Sequence, residues 1–170
     1  MKKLSTLVLL IFATISTTFS QRVAIVDVSD ILENMSQYSN AQKEIDKVAA
    51  EWQQEVAQEY DKIKSMYNKY QAEQVLLSDE ARRQKEDEIV EKEKAVRELQ
   101  KRRFGPEGDL FRKRQELVSP VQDMVFAAIE EYATEKGLDL ILDKSSASGI
   151  LFTSGEYDKT AELKRRLDIK

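Results

Sequence analysis

Between residues 39 and 136 apolar side chains return every three or four positions, the spacing of one helical face. Ala41, Ile45, Val48, Trp52, Val56, Tyr60, Ile63, Tyr67 and Tyr70 form the first such stripe. Neither Gly nor Pro interrupts it, and Ser39 with Gln42 has the form of a capping box, so one helix over residues 39–77 is predicted. At about 1.5 Å per residue it would reach on the order of 55 Å, more than a small domain can enclose, so it must project.

The chain should reverse at Leu76-Leu77-Ser78-Asp79-Glu80, where Ser78 can cap a second helix and two acidic residues suit the positive end of its dipole. The returning stripe is sparser: Ala81, Ile89, Val96 and Leu99. Phe104-Gly105-Pro106-Glu107-Gly108 breaks it, because Pro106 lacks a helical donor and disfavours helical geometry at Gly105. Antiparallel arms folded at Ser78 place Gly105 opposite residues 50–52, beside Trp52. Small residues here make room for the indole, or Gly105 and Pro106 form a hinge; packing is the simpler reading. Ser119-Pro120 can restart or bend the helix, Val121, Met124, Val125, Ala128, Ile129 and Tyr132 give its fuller root face, and Gly137 should stop it.

The flanks read differently. Residues 22–28 are rich in β-branched side chains and apolar on both faces, as are residues 138–143 and 150–153, so three short strands are predicted. Asp30 can cap a brief helix over residues 31–36, and Asp158 or Thr160 can open a closing helix over residues 161–167. The fold class is therefore α+β, mostly α: a helical hairpin, residues 39–119, inserted in a small β-body, residues 21–38 and 120–170. Val23, Ile25, Val26, Leu140, Ile141, Leu142, Ile150 and Phe152 would line surfaces and edges that one chain cannot cover, so self-association should close the body.

Ahead of this, Lys2 and Lys3 precede an apolar run over residues 4–15 and then Thr18-Phe19-Ser20, the form of a secretory signal peptide cleaved after Ser20. The run is short of the roughly 20 residues a membrane span needs. Its removal would leave 25 basic against 31 acidic residues, moving the net charge from −4 to −6. The remainder is sized for one domain.

With no Cys and no His there is no disulfide, no thiol or imidazole catalysis and no His-based metal site. Five scattered Gly offer no phosphate cradle, so neither a cofactor nor ATP is expected, and no residue set suggests an enzyme. Net charge and export argue against nucleic acid. Asp27, Asp139 and Asp143 could be imagined as an acid/base set, but their places mark strand ends and turns.

Taken together, Arg22-Val-Ala-Ile-Val-Asp-Val-Ser-Asp-Ile-Leu32 before a long charged hairpin and Gly137-Leu-Asp-Leu-Ile-Leu-Asp143 after it closely resemble the Skp/OmpH family of periplasmic chaperones. The resemblance covers essentially the whole chain after residue 20 and rests on the order strand, hairpin, strand, strand, helix. It implies a homotrimer with a β-barrel body and three helical tentacles around a cavity. It further implies a periplasmic holdase, independent of ATP, for unfolded outer-membrane β-barrel proteins. A structural coiled-coil envelope protein without clients is the alternative, separable by an aggregation-protection assay.

Tyr60, Met66, Tyr67, Tyr70, Val75 and Leu76 are candidates for the lining that meets clients, since aromatic and Met side chains make adaptable contacts; at helical spacing they equally suit the seam between the arms. The well-known family members are basic, whereas this chain has a pI near 5.2. Basic residues gather locally as Lys101, Arg102, Arg103, Arg112, Lys113 and Arg114, against Glu107 and Asp109. An ion-pair ladder to the facing arm, Lys101 to Glu55 and Arg112 to Glu44, is the preferred reading over a client, membrane or lipopolysaccharide site.

Overall fold

A computed structural model describes residues 21–146 and 149–169. The expected signal segment therefore lies outside the described residues. Strand β1 (Val23–Val26) leads through a short helix α1 (Val28–Glu33) into α2 (Ser36–Glu73). A single 3-10 turn (Gln74–Leu76) reverses the chain into α3 (Asp79–Phe104), which is followed by α4 (Asp109–Lys136), β2 (Leu140–Asp143) and α5 (Thr160–Arg166).

The breakers act where the sequence places them. The Ser78 hydroxyl accepts from the Ala81 amide at 3.3 Å and starts α3. Gly137 adopts the left-handed conformation, φ 62°, while its amide and that of Leu138 donate to Thr134 and Ala133 carbonyls, a Schellman closure of α4. α3 and α4 are separated at Gly105-Pro106, as predicted.

Three expectations are corrected. Helix α1 begins at Val28, with Asp27 rather than Asp30 as its cap: Asp27 Oδ1 accepts from the Asp30 amide at 2.9 Å. Helix α2 starts at Ser36, ahead of the Ser39 capping box, because Met35 is buried in the body core in an extended conformation and fixes the point of entry. Helix α4 does not restart at Ser119-Pro120 but continues through Pro120, which is exposed, whereas Val118, Val121 and Val125 are buried on either side of it. Their packing outweighs the loss of one helical hydrogen bond.

Strands from opposite ends of the sequence meet as predicted: β1 and β2 pair in parallel, Val23 with Leu140 through Val26 with Asp143. Parallel neighbours need a long crossover, and the whole helical hairpin supplies it. The expected third strand at residues 150–153 does not form in the single chain. The other edge of β1 is instead met by residues 157–159, where the Ile25 amide donates to Tyr157 O and Lys159 donates to Ile25 O, both at 2.8 Å.

Burial runs from body to stalk in three clusters. Val26, Ile31, Val125 and Leu163 centre the body; Ala41, Ile45 and Val118 join α2 to α4 at the root; Val56, Ile63, Ile89 and Val96 form the seam of α2 with α3. The unbroken α2, on the order of 57 Å long at 1.5 Å per residue, thus packs on α4 near the body and on α3 beyond it.

Candidate functional site

The predicted lining residues divide into two groups. Met66 and Tyr70 pack into the seam with Val56, Ile63, Ile89 and Val96. The Tyr70 hydroxyl donates to the Glu86 carboxylate, and that hydrogen bond raises the phenol's pKa. Tyr60 and Tyr67, seven residues apart and so on one helical face, flank the seam half-exposed; the Tyr60 hydroxyl reaches Gln100 at 3.3 Å. Val75 and Leu76 stand at the tip of the stalk, 82% and 84% exposed, because the reversing turn gives them nothing to pack against. Tyr60, Tyr67, Val75 and Leu76 therefore form a dispersed apolar strip, not a pocket.

The body residues divide in the same way. Ile25 and Val26 are buried within their own chain, Val23 and Ile150 are half-buried, and Ile141 packs on the core. Leu140 and Leu142 project from the other face of β2 and remain exposed, while Phe152 is 86% exposed. Sequence reasoning did not single out Leu151, which is 99% exposed, although it lies in the same apolar run. It also missed Phe111 and Phe126, exposed on α4; helical projection from the buried Val125 would have placed Phe126 off the core face, whereas Phe111 lies seven residues before Val118 on the same face and is exposed all the same.

The carboxylates have structural partners. Asp139 accepts from the Arg22 amide at 2.9 Å, and Asp143 accepts from Val28 and Ser145 amides at 3.2 and 2.9 Å. Lys144 lies 2.8 Å from Asp158 and 3.7 Å from Asp27, tying the end of β2 to both flanks of β1. Burial would raise the Asp158 pKa, but hydrogen bonds from Lys144 and from the Thr160 hydroxyl and amide outweigh it and hold it at about 2.

The expected ladder of ion pairs is replaced by a compact network at the helix break. Glu55 pairs with Arg103 rather than Lys101, and Arg112 pairs with Asp109 of its own helix rather than Glu44. Lys113 likewise pairs within α4, with Glu116 at 3.1 Å. Lys101, Arg102 and Arg112 border an open cleft beside Gly105 and Pro106, and Glu98 and Glu107 share its wall.

Among the described residues no helix is long and apolar enough to cross a membrane. Comparison with curated proteins gives no match. The fold is similar to a crystal structure from Caulobacter crescentus CB15, described as that of a candidate outer membrane chaperone (OmpH-like), with a TM-score of 0.72 at 13% sequence identity. That similarity covers 88% of this chain and 85% of the other, and at such identity it concerns the fold alone. The sequence itself matches the family described as Outer membrane protein (OmpH-like) over residues 22–167, a span that takes in both strands, the whole hairpin and the closing helix. This chain therefore belongs to the OmpH-like family.

Proposed function

We propose that the chain is a periplasmic holdase chaperone, working without ATP, that assembles as a homotrimer and shelters unfolded outer-membrane β-barrel proteins between its stalks. The observation that carries this reading is the pairing of a projecting stalk with a body left unfinished: Leu140, Leu142, Leu151 and Phe152 remain exposed around one small strand pair. Covering four such side chains contributes on the order of 6–12 kcal/mol gross per chain, enough to favour assembly with further copies. Membership in the OmpH-like family and the fold shared with a candidate outer membrane chaperone support the same reading.

A β-barrel client awaiting insertion exposes alternating apolar residues that would otherwise pair with one another. The strip of Tyr60, Tyr67, Val75 and Leu76 offers such a chain scattered, weak, geometrically undemanding contacts, and the charged helix surfaces between them keep the stalk soluble. The test is the aggregation of a denatured porin diluted from urea with and without the purified chain, in the absence of nucleotide. Suppression at near-stoichiometric ratios is expected; aggregation at the unprotected rate would overturn the proposal and favour a purely structural stalk.

A further inference from the structure

Near Trp52 the stalk changes partner, from α4 to α3, and among the described residues α2 is the only helix running unbroken through the junction. Bending should concentrate there, since elsewhere two helices resist it together. Within the connection the backbone is tightly wound: a Cβ on Gly105 would run into the Lys101 carbonyl, and one on Gly108 would come within 2.7 Å of the Arg102 carbonyl.

Arg103 spans this junction. Its Nε and one terminal nitrogen donate to Glu55 of α2 at 3.1 and 3.4 Å, and its other terminal nitrogen donates to Asp109, in the first turn of α4, at 2.8 Å. The guanidinium lies over the Trp52 ring, 4.7 Å from its centroid. Both edges and one face of the planar fork are thus engaged with α2 and α4, from a residue in the last turn of α3. Its side chain is only 25% exposed and that of Asp109 only 18%, so the Arg103–Asp109 contact is less screened than the ion pairs along the helix surfaces, while the Glu55 side chain is 40% exposed.

We infer that Arg103 is the positioning residue of the stalk: it locks the two halves of the return arm against α2 at one angle and so sets the direction in which the outer hairpin leaves the root. The helix break is then a braced joint rather than a loose one. In a trimer of the kind proposed above, on which this last step alone rests, that angle sets how widely the stalk tips are spread. Lysine cannot replace it, because an ammonium lacks the fork that bonds two carboxylates and the flat face that stacks on the indole.

The chain has no Cys and one Trp, which makes the joint measurable. Spin labels at Glu80→Cys, by the tip, and Glu130→Cys, on α4, span the break, with labelled chains diluted into unlabelled ones. The parent chain should give one narrow distance distribution. Arg103→Met should raise the population of bent arms on the order of tenfold, broaden that distribution and increase acrylamide quenching of Trp52. Arg103→Lys should resemble Arg103→Met more than the parent. Arg97→Met, on the same helix but paired with Glu93 four residues away, should change neither readout.

A folded Arg103→Met whose distances superimpose on those of the parent would overturn the inference. If that variant does not fold, salt decides on the parent chain: broadening toward ~1 M is expected, and an unchanged distribution would be equally contrary. These readouts need no client, so loosened arms together with absent client protection would count against the holdase reading alone.

Discussion

Acid should loosen the body through one identifiable carboxylate. Asp158 closes the second edge of β1 and receives Lys144 from the end of β2, and its pKa is held at about 2 against an ordinary 3.8. A depressed carboxylate adds stability that is fully present above its unfolded pKa and is lost as pH falls toward the folded value. That gap corresponds to roughly 2 kcal/mol, present at pH 5 and largely gone near pH 2. Its side chain is 26% exposed, so the figure is an upper one. Asp158→Asn removes the titration while keeping an oxygen for the Thr160 amide, which Asp158 Oδ1 now receives at 3.0 Å. Urea unfolding of both proteins at fixed chain concentration, from pH 6 down to pH 2, isolates this group from every other acid in the chain. The parent should lose up to about 2 kcal/mol more than the variant between pH 5 and pH 2. Parallel stability curves would refute the reasoning and relegate the Lys144 pair to a surface contact.

Other consequences are local. Val96 is 2% exposed at the centre of the α2–α3 seam, so Val96→Ala should cost about 2 kcal/mol, read as faster amide hydrogen exchange in the stalk with the β1 and β2 amides unchanged. Gly137→Ala forces a side chain into the left-handed region and should lower stability by about 1–2 kcal/mol in thermal unfolding. Replacing Tyr60, Tyr67, Val75 and Leu76 by Ser should leave stability nearly unchanged, since none is buried, while weakening protection of a denatured porin.

Much of the fold was legible because its signals are local. The unbroken 3.6-residue stripe announced α2, Ser78 announced the reversal, Gly105-Pro106 the break and Gly137 the stop; each acts through its own backbone and needs no distant partner. What failed depended on contacts far along the chain. The start of α2 is decided by burial of Met35 against the body, and Pro120 is overruled by its buried valine neighbours. The edge of β1 away from β2 is taken by residues 157–159, so the apolar run over residues 150–153 finds no place there and Leu151 and Phe152 stay outside.

The register was right at the tip, where Tyr70 meets Glu86, and is offset by a few residues below it, where Tyr60 meets Gln100 and Glu55 meets Arg103. A fixed mirror through Ser78 ignores how two helices shift past each other along a seam, and the expected ladder failed with it. Of the candidate site, the apolar character of the strip was readable from residue types; which members face the seam was not. Met66 and Tyr70 differ from Tyr60 and Tyr67 by only a fraction of a helical turn.

The most direct test of the account is the mass, by light scattering after size exclusion, of the species formed when a denatured porin is diluted into the purified chain. A soluble particle containing three copies of this chain and one porin is predicted. Single chains eluting alone, with the porin in the pellet, would contradict both the shared body and the shelter it is proposed to support.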